Sequence, residues 1–343
     1  MPASSRARTR SALALSGALV GALMLSSCGV IGGDADLQVY SARKYGSEEV
    51  FKEFTDETGI SVEFIFDENA ALLERIKAEG ANSPADVYMT VDAGNLWNAD
   101  QEGVLKPLNS RVLDEAVPEA DRAADGTWYG LAKRARTVIY NPDAVDPSEF
   151  DAKDTYAGLG DPKWRGRICM RDTSEAYQVS LVASLMDLYG EDRAREIVES
   201  WVANDVEIMS NDVLLIEAVD AGTCDVAVVN HYYLARELAD RDLNVDLYWA
   251  SQEGAGTHVN LSGAGVVKTS DNPRQAQRLL EWLATDGQEA MIAGNHEFPV
   301  NPEVQPDEEA AQFGDFTEMP INAEAYGSLN SDAADLLTDA GWK

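Results

Sequence analysis

Short apolar strands alternate with amphipathic helices along most of this chain, and two long extended segments interrupt the alternation. No other feature narrows the fold as much. LQVYSA reads as a strand, and GSEEVFKEFTDETG as a helix with Val50, Phe51 and Phe54 on one face and Gly59 closing it. SVEFIF is the next strand, NAALLERIKAEG a helix with Leu72, Leu73 and Ile76 inward, and ADVYMTV a strand before a helix around Leu96 and Trp97. A β-α-β-α order predicts a mostly parallel sheet with helices on both faces.

The first interruption is WYGLAKRARTVIYN, residues 128–141. The pattern then restarts with strand GRICMRD, helices SEAYQVSLVASLMDLYG and EDRAREIVESWVAN, strand CDVAVVN and helix HYYLARELADR. A second crossing, THVNLSGAGVVKTS at residues 257–270, precedes the helix PRQAQRLLEWLATDGQEAMIAG. Two α/β units joined by two extended crossings predict two lobes with a cleft between them. Ligands of open α/β sheets sit outside the carboxyl ends of the strands. Three stretches with tyrosines follow strands, YSARKYG, TSEAYQ and VNHYYLARE, so one cleft can collect them.

The N-terminus stands apart from this pattern. Arg6, Arg8 and Arg10 precede the uncharged run SALALSGALVGALML, which is short for a transmembrane helix and has the layout of a secretory signal. LSSC ends it, and Leu-x-x-Cys resembles a lipobox, in which Cys28 is lipidated and becomes the mature N-terminus. An ordinary signal peptide with an incidental Cys28 is the alternative. The expected layout is a signal over 1–27 and a tether over 28–36, with no later segment apolar enough to cross a membrane.

Of 343 residues, 316 remain after the signal, enough for two domains with their own cores. The 27 basic residues, less three in the signal, face 60 acids, a mature net charge of −36. Such a field argues against nucleic acid or an anionic lipid surface as partner. The acids are scattered, which reads as a solubility adaptation. Cys169 and Cys224 are an even pair in an oxidising compartment, either a disulfide or two buried thiols.

Catalytic machinery is nearly absent from the sequence: there is no P-loop, no dinucleotide glycine motif after a strand and no G-x-S-x-G. His231, His258 and His296 are far apart and in no metal-ligand spacing. The tyrosines remain. Phenolate is a hard anionic donor suited to a small, highly charged cation such as Fe3+. A free phenol titrates near about 10, so coordination must expel its proton, and binding weakens in acid. Four phenolates on Fe3+ leave a charge of −1, which Arg43, and Arg134 or Arg136, are placed to offset. Tyrosines at strand ends also serve as packing or sugar-stacking residues, and the residues alone leave that choice open.

Residues 37–343 resemble the substrate-binding proteins of bacterial ferric-iron ABC importers, in the group that binds iron largely through tyrosines. The stretches that carry the resemblance run in register: VYSARKYG, KAEGANSPADVYMTVDAGNLW, AKRARTVIYNP, KWRGRICMRDTSEAYQVSLVASL, VVNHYYLAR, GTHVNLSGAGVVK, NHEFPV and the terminal DAGWK. The resemblance implies a two-lobed periplasmic-binding-protein fold of type II, with two Rossmann-like lobes joined by extended hinge strands. Lobe one is expected over 37–137 and 265–305, and lobe two over 138–264 and 306–343.

Carried over residue by residue, the family's tyrosine ligands fall on Tyr45, Tyr177, Tyr232 and Tyr233. Lys44 stands where many relatives have a histidine, and its ammonium is expected to act as an outer cation that does not coordinate. Val91, with Asp92 beside it, stands where another branch has a glutamate, so no carboxylate ligand is expected there. Arg136 resembles an arginine that holds a synergistic carbonate or other small anion, and Arg43 is a second cation near the site. For His231 an outer role and surface exposure are both open. Cys169 and Cys224 fall on neighbouring elements of lobe two and are expected to be bonded. The implied function is a monomeric, lipid-anchored, extracytoplasmic receptor that delivers Fe3+ to an ABC permease and its ATPase and catalyses nothing. The competing readings are a receptor for a polyamine or sugar, and an extracytoplasmic enzyme on the same scaffold.

Overall fold

The computed structural model describes residues 35–44 and 47–342. Cys28 and Tyr45 lie outside the described residues. Ten strands are found among the described residues: β1 (Leu37–Ser41), β2 (Val62–Phe66), β3 (Val87–Thr90), β4 (Tyr129–Tyr140), β5 (Ile168–Arg171), β6 (Glu207–Met209), β7 (Val226–Asn230), β8 (Asp246–Tyr248), β9 (His258–Val266) and β10 (Phe298–Pro299). They form one sheet in the order β2-β1-β3-β9-β4-β7-β5-β6, with β8 and β10 attached to β4.

At each end of this order the pairs are parallel, β1 with β2 and β3, and β5 with β6 and β7, as the alternating pattern requires. The middle differs from the mostly parallel sheet expected. The two crossings β4 and β9 pair antiparallel with each other, and antiparallel also with β7 and β3. The sheet is therefore mixed. Each crossing enters from one α/β unit and leaves into the other, so it runs against its neighbours. All residues of β4 and β9 are buried, which accounts for polar residues such as Lys133, Arg134, Arg136 and Asn260 finding partners inside the protein.

One apolar core lies at the β1–β3 end, where Phe51, Phe54, Leu113, Leu279 and Trp282 cover Leu37, Val39 and Val87. Another lies at the β5–β7 end around Ile139, Leu215, Ile216 and Val229, and it includes Tyr177, Tyr232 and Tyr233. A third, larger core reaches from Tyr40 and Leu96 to Leu181, Trp201 and Trp342. The C-terminal helix Glu324–Asp339 belongs to it and packs on both Ala93–Gln101 and Ala176–Tyr189. Gly327 makes that approach possible: a Cβ there would come within 2.4 Å of Trp97. Trp342 then donates its indole N–H to the carbonyl oxygen of Arg171 at 3.0 Å, fastening the chain end to β5.

Cys169 on β5 and Cys224, just before β7, form a disulfide with Cα atoms 5.9 Å apart. It ties together the two parallel strands whose carboxyl ends carry the tyrosines.

Candidate functional site

Strands β5 and β7 are paired in parallel through Ile168↔Val226 and Cys169↔Ala227, so their carboxyl ends open on the same side. Helix His231–Asp240 starts directly at the end of β7, putting Tyr232 and Tyr233 in its first turn. After β5, four residues lead to Ala176, and helix Ala176–Tyr189 has Tyr177 in its first turn. The neighbouring strand ends bring these phenols together. The hydroxyls of Tyr177 and Tyr232 are 3.3 Å apart, and the rings of Tyr232 and Tyr233 stack at 4.4 Å with 30° between planes. Their exposures are 8, 2 and 9 %. Both helices begin at the cluster, and a helix N-terminus favours anionic oxygen. Of the four phenols predicted from sequence, the structure brings three together.

Three arginines surround the cluster. The guanidinium of Arg134 lies 5.3 Å, and that of Arg171 4.8 Å, from the centre of the Tyr177 ring. Arg236 lies 5.0 Å from the Tyr233 ring and 5.9 Å from that of Tyr232. Arg136 is directed elsewhere: it bonds the carbonyl oxygen of Val228 at 2.9 Å and the carboxylate of Asp212 at 3.1 Å. The buried carboxylate of Asp212 also takes Arg171 at 3.0 Å. Arg43 is buried and paired with Glu297 at 2.8 Å, and Glu297 also accepts from the Ser262 hydroxyl at 3.1 Å. Lys44 bonds Glu68 at 2.7 Å on the surface, and that hydrogen bond raises the pKa of its ammonium, so it stays a cation. Asp92 caps helix Ala93–Gln101 and accepts from Asn260 at 2.7 Å, which uses its carboxylate structurally.

Arg236 and three further groups here were not singled out from the sequence. Arg171 is the last residue but one of GRICMRD, Asp212 opens a helix far along the chain, and Glu175 sits two residues before Tyr177. Burial raises the pKa of Glu175, while Arg171, Arg134 and Lys44 pull it down. The only local hint at Asp212 is the run of four apolar residues, Val213 to Ile216, between it and the next acid, Glu217.

Tyr177 and Tyr232 hold their protons in this state. Burial pushes Tyr177 up, a charge on Tyr233 would push it further, and Arg134 pulls the other way. Tyr232 is pushed well up by burial and by Tyr177. A cation that binds here must therefore displace protons, and acid competes with it.

His231 is fully buried, so the surface reading falls away. Its Nε2 donates to the carbonyl oxygen of His296 at 3.0 Å, leaving Nδ1 to accept from the Ala135 N–H at 3.1 Å. Burial lowers both His231 and the equally buried His258 to about 3. Unfolded histidine protonates near about 6.5, so below that pH the unfolded chain takes up protons that the folded one refuses. Stability is thus lost as the pH falls from 6.5 toward 3, by about 2 kcal/mol per histidine at pH 5. Urea melts of the soluble domain at pH 7 and pH 5 check this, and equal midpoints would contradict it.

Residues 49–318 match the model of a family described as bacterial extracellular solute-binding protein. The chain belongs to that family. This solute-binding protein is 40 % identical to iron uptake protein A1 of Synechocystis sp., with 95 % of each chain covered. It is 33 % identical to the major ferric iron-binding protein of Neisseria meningitidis serogroup B, over 79 % of this chain and 82 % of that one. Among solved structures it resembles the Trichodesmium protein (IdiA, FutA) in complex with iron and citrate, with a TM-score of 0.84 and 40 % identity over 90 % of this chain and 99 % of that one. It also resembles ferric iron-binding protein A of Mannheimia haemolytica in an open conformation, with a TM-score of 0.83 and 30 % identity over 90 and 99 % of the two chains. The solute-binding protein accordingly has the α/β, two-lobed, type II fold expected from its sequence. Among its described residues no helix is long and apolar enough to cross a membrane.

Proposed function

We propose that this chain is an extracytoplasmic receptor that captures Fe3+ through tyrosine phenolates between two lobes and delivers it to an ABC permease and its ATPase. One observation carries the reading: three buried phenols gather at the carboxyl ends of β5 and β7, with the Tyr177 and Tyr232 hydroxyls 3.3 Å apart, Tyr233 stacked on Tyr232 and buried arginines around them. Hard anionic oxygens and compensating cations suit Fe3+, which soft ligands would not. Tyr45, one residue beyond Lys44, is the fourth donor, reaching in from lobe one. The relatives named for ferric iron, and the iron- and citrate-bound neighbour, support the same cargo.

Lobe one comprises 37–137 and 265–305, lobe two 138–264 and 306–343, and β4 with β9 forms the hinge. Closing the lobes completes the ligand shell, so the metal favours the closed form by its differential affinity. A small anion, carbonate or a carboxylate such as citrate, fills any remaining position. Cys28 carries a lipid that holds the receptor, a monomer, at the membrane.

Equilibrium dialysis of the metal-stripped soluble domain tests the cargo against its rivals. The domain is expected to retain one Fe3+, supplied as ferric citrate, and to leave spermidine and glucose at their bulk concentrations. Retention of spermidine or glucose without iron would replace this reading by one of organic-solute capture.

A further inference from the structure

His296, Asp307 and Glu309 gather three groups of metal-ligand type away from the phenols. His296 Nδ1 lies 2.7 Å from Asp307 Oδ2 and 3.8 Å from Glu309 Oε2, and the three ligand atoms lie within 4.8 Å of one another. The buried ring of His231 stands between this group and the tyrosines. It bonds the carbonyl oxygen of His296 at 3.0 Å and meets the Tyr232 ring edge-on at 6.0 Å.

Two of the three ligands are held from behind. His231 fixes the backbone of His296, and β10, which begins two residues later, pairs with β4. Asp307 accepts the Ala310 N–H on Oδ1 at 2.9 Å, which leaves Oδ2 turned to the imidazole. Outer bonds of this kind orient the ligands of a metal. The Glu309 side chain is 43 % exposed, so an ion has a way in and water can complete the shell.

The spacing suits a small cation. Zinc bonds imidazole nitrogen and carboxylate oxygen at about 2.0–2.2 Å, which sets two tetrahedral ligands about 3.4 Å apart. The observed 2.7 and 3.8 Å lie on either side of that value, so small side-chain shifts reach it. Two carboxylates cancel the charge of a divalent ion. One imidazole among them favours zinc and its neighbours over Ca2+ and Mg2+, which prefer shells of oxygen alone.

We infer that His296, Asp307 and Glu309 form a second cation site, for a divalent transition metal of the zinc class. Under the lobe division proposed above, His296 belongs to lobe one and the two acids to lobe two, so the ion pins the passage between them. The site stands whether or not the tyrosines take Fe3+.

The test titrates metal-stripped, tag-free soluble domain with Zn2+ by calorimetry, and with Co2+ read by its visible d–d absorption. Tyr232→Phe/Tyr233→Phe is the background throughout, so that the phenol pair takes no part. One Zn2+ per protein is expected, with a rise in thermal midpoint as Zn2+ is added. His296→Asn, which suits the left-handed backbone at this position (φ 52°), is expected to weaken binding at least tenfold and remove the Co2+ band. Glu309→Gln, on the surface, is expected to weaken it about tenfold with the metal-free melt unchanged. Zn2+ uptake that never saturates at one, or that is as strong in a folded His296→Asn as in the background, would overturn the inference. If His296→Asn does not fold, Glu309→Gln decides: a tenfold loss supports the site, and undiminished binding overturns it.

Discussion

Tyr232→Phe/Tyr233→Phe is expected to lose Fe3+ capture while the metal-free protein folds normally. The substitution removes two oxygens and almost nothing else. Tyr232 is 2 % exposed and stacked on Tyr233 at 4.4 Å, and phenylalanine preserves that ring area and its packing. The Tyr232 hydroxyl has one protein contact, with Tyr177 at 3.3 Å, so its loss costs the metal-free fold about 1 kcal/mol. The ferric site, by contrast, loses half of its four proposed donors. Removing an outer partner of a metal site already costs about 10- to 100-fold in affinity, and removing two ligands must cost far more. Dialysis against citrate reads the loss, and a urea melt reads the fold. Iron held as firmly as by wild type would mean that the pair packs the lobe and binds nothing.

Asp212→Ala is expected to be the most damaging single substitution to stability near the site. Asp212 is completely buried, with Arg136 at 3.1 Å on one oxygen and Arg171 at 3.0 Å on the other. Without it, two buried guanidinium groups lose the one carboxylate that pairs with them among the described residues, and breaking a buried pair from one side costs about 3–5 kcal/mol. The exposed pair Arg111–Glu115 provides the contrast: it is also a close ion pair, at 2.7 Å, but solvent screens it, and Glu115→Ala should leave the midpoint nearly unmoved. Urea midpoints of the two variants check the difference, and similar midpoints would show that Asp212 is not what holds the arginines.

Much of this was legible in the sequence because it depends on local pattern. The alternation of strand and helix placed Tyr177, Tyr232 and Tyr233 at strand ends, and the two extended crossings appeared as β4 and β9. The residues alone left Cys169 and Cys224 as a disulfide or two buried thiols, and the resemblance implied the bond that the structure shows. The mixed character of the sheet was not legible, since strand direction in the middle depends on how the crossings pair with each other. Nor was the charge arrangement. Asp212 meets Arg171 across 41 residues and Arg136 across 76, and no local spacing announces such contacts. For the same reason Arg43 and Arg136 looked available for an anion, whereas the fold commits them to Glu297 and to Asp212 with the Val228 carbonyl. Lys44 stays a cation, as its side chain requires, because it pairs with Glu68 on the surface.

The most direct test is a visible-absorbance titration of the metal-stripped soluble domain with ferric citrate at neutral pH. Phenolate bound to Fe3+ absorbs visible light by charge transfer, and neither a phenol nor ferric citrate reproduces that band. A band that grows and saturates at one iron per protein is the predicted result. A protein that stays colourless while the iron remains with citrate would contradict ferric capture by these tyrosines.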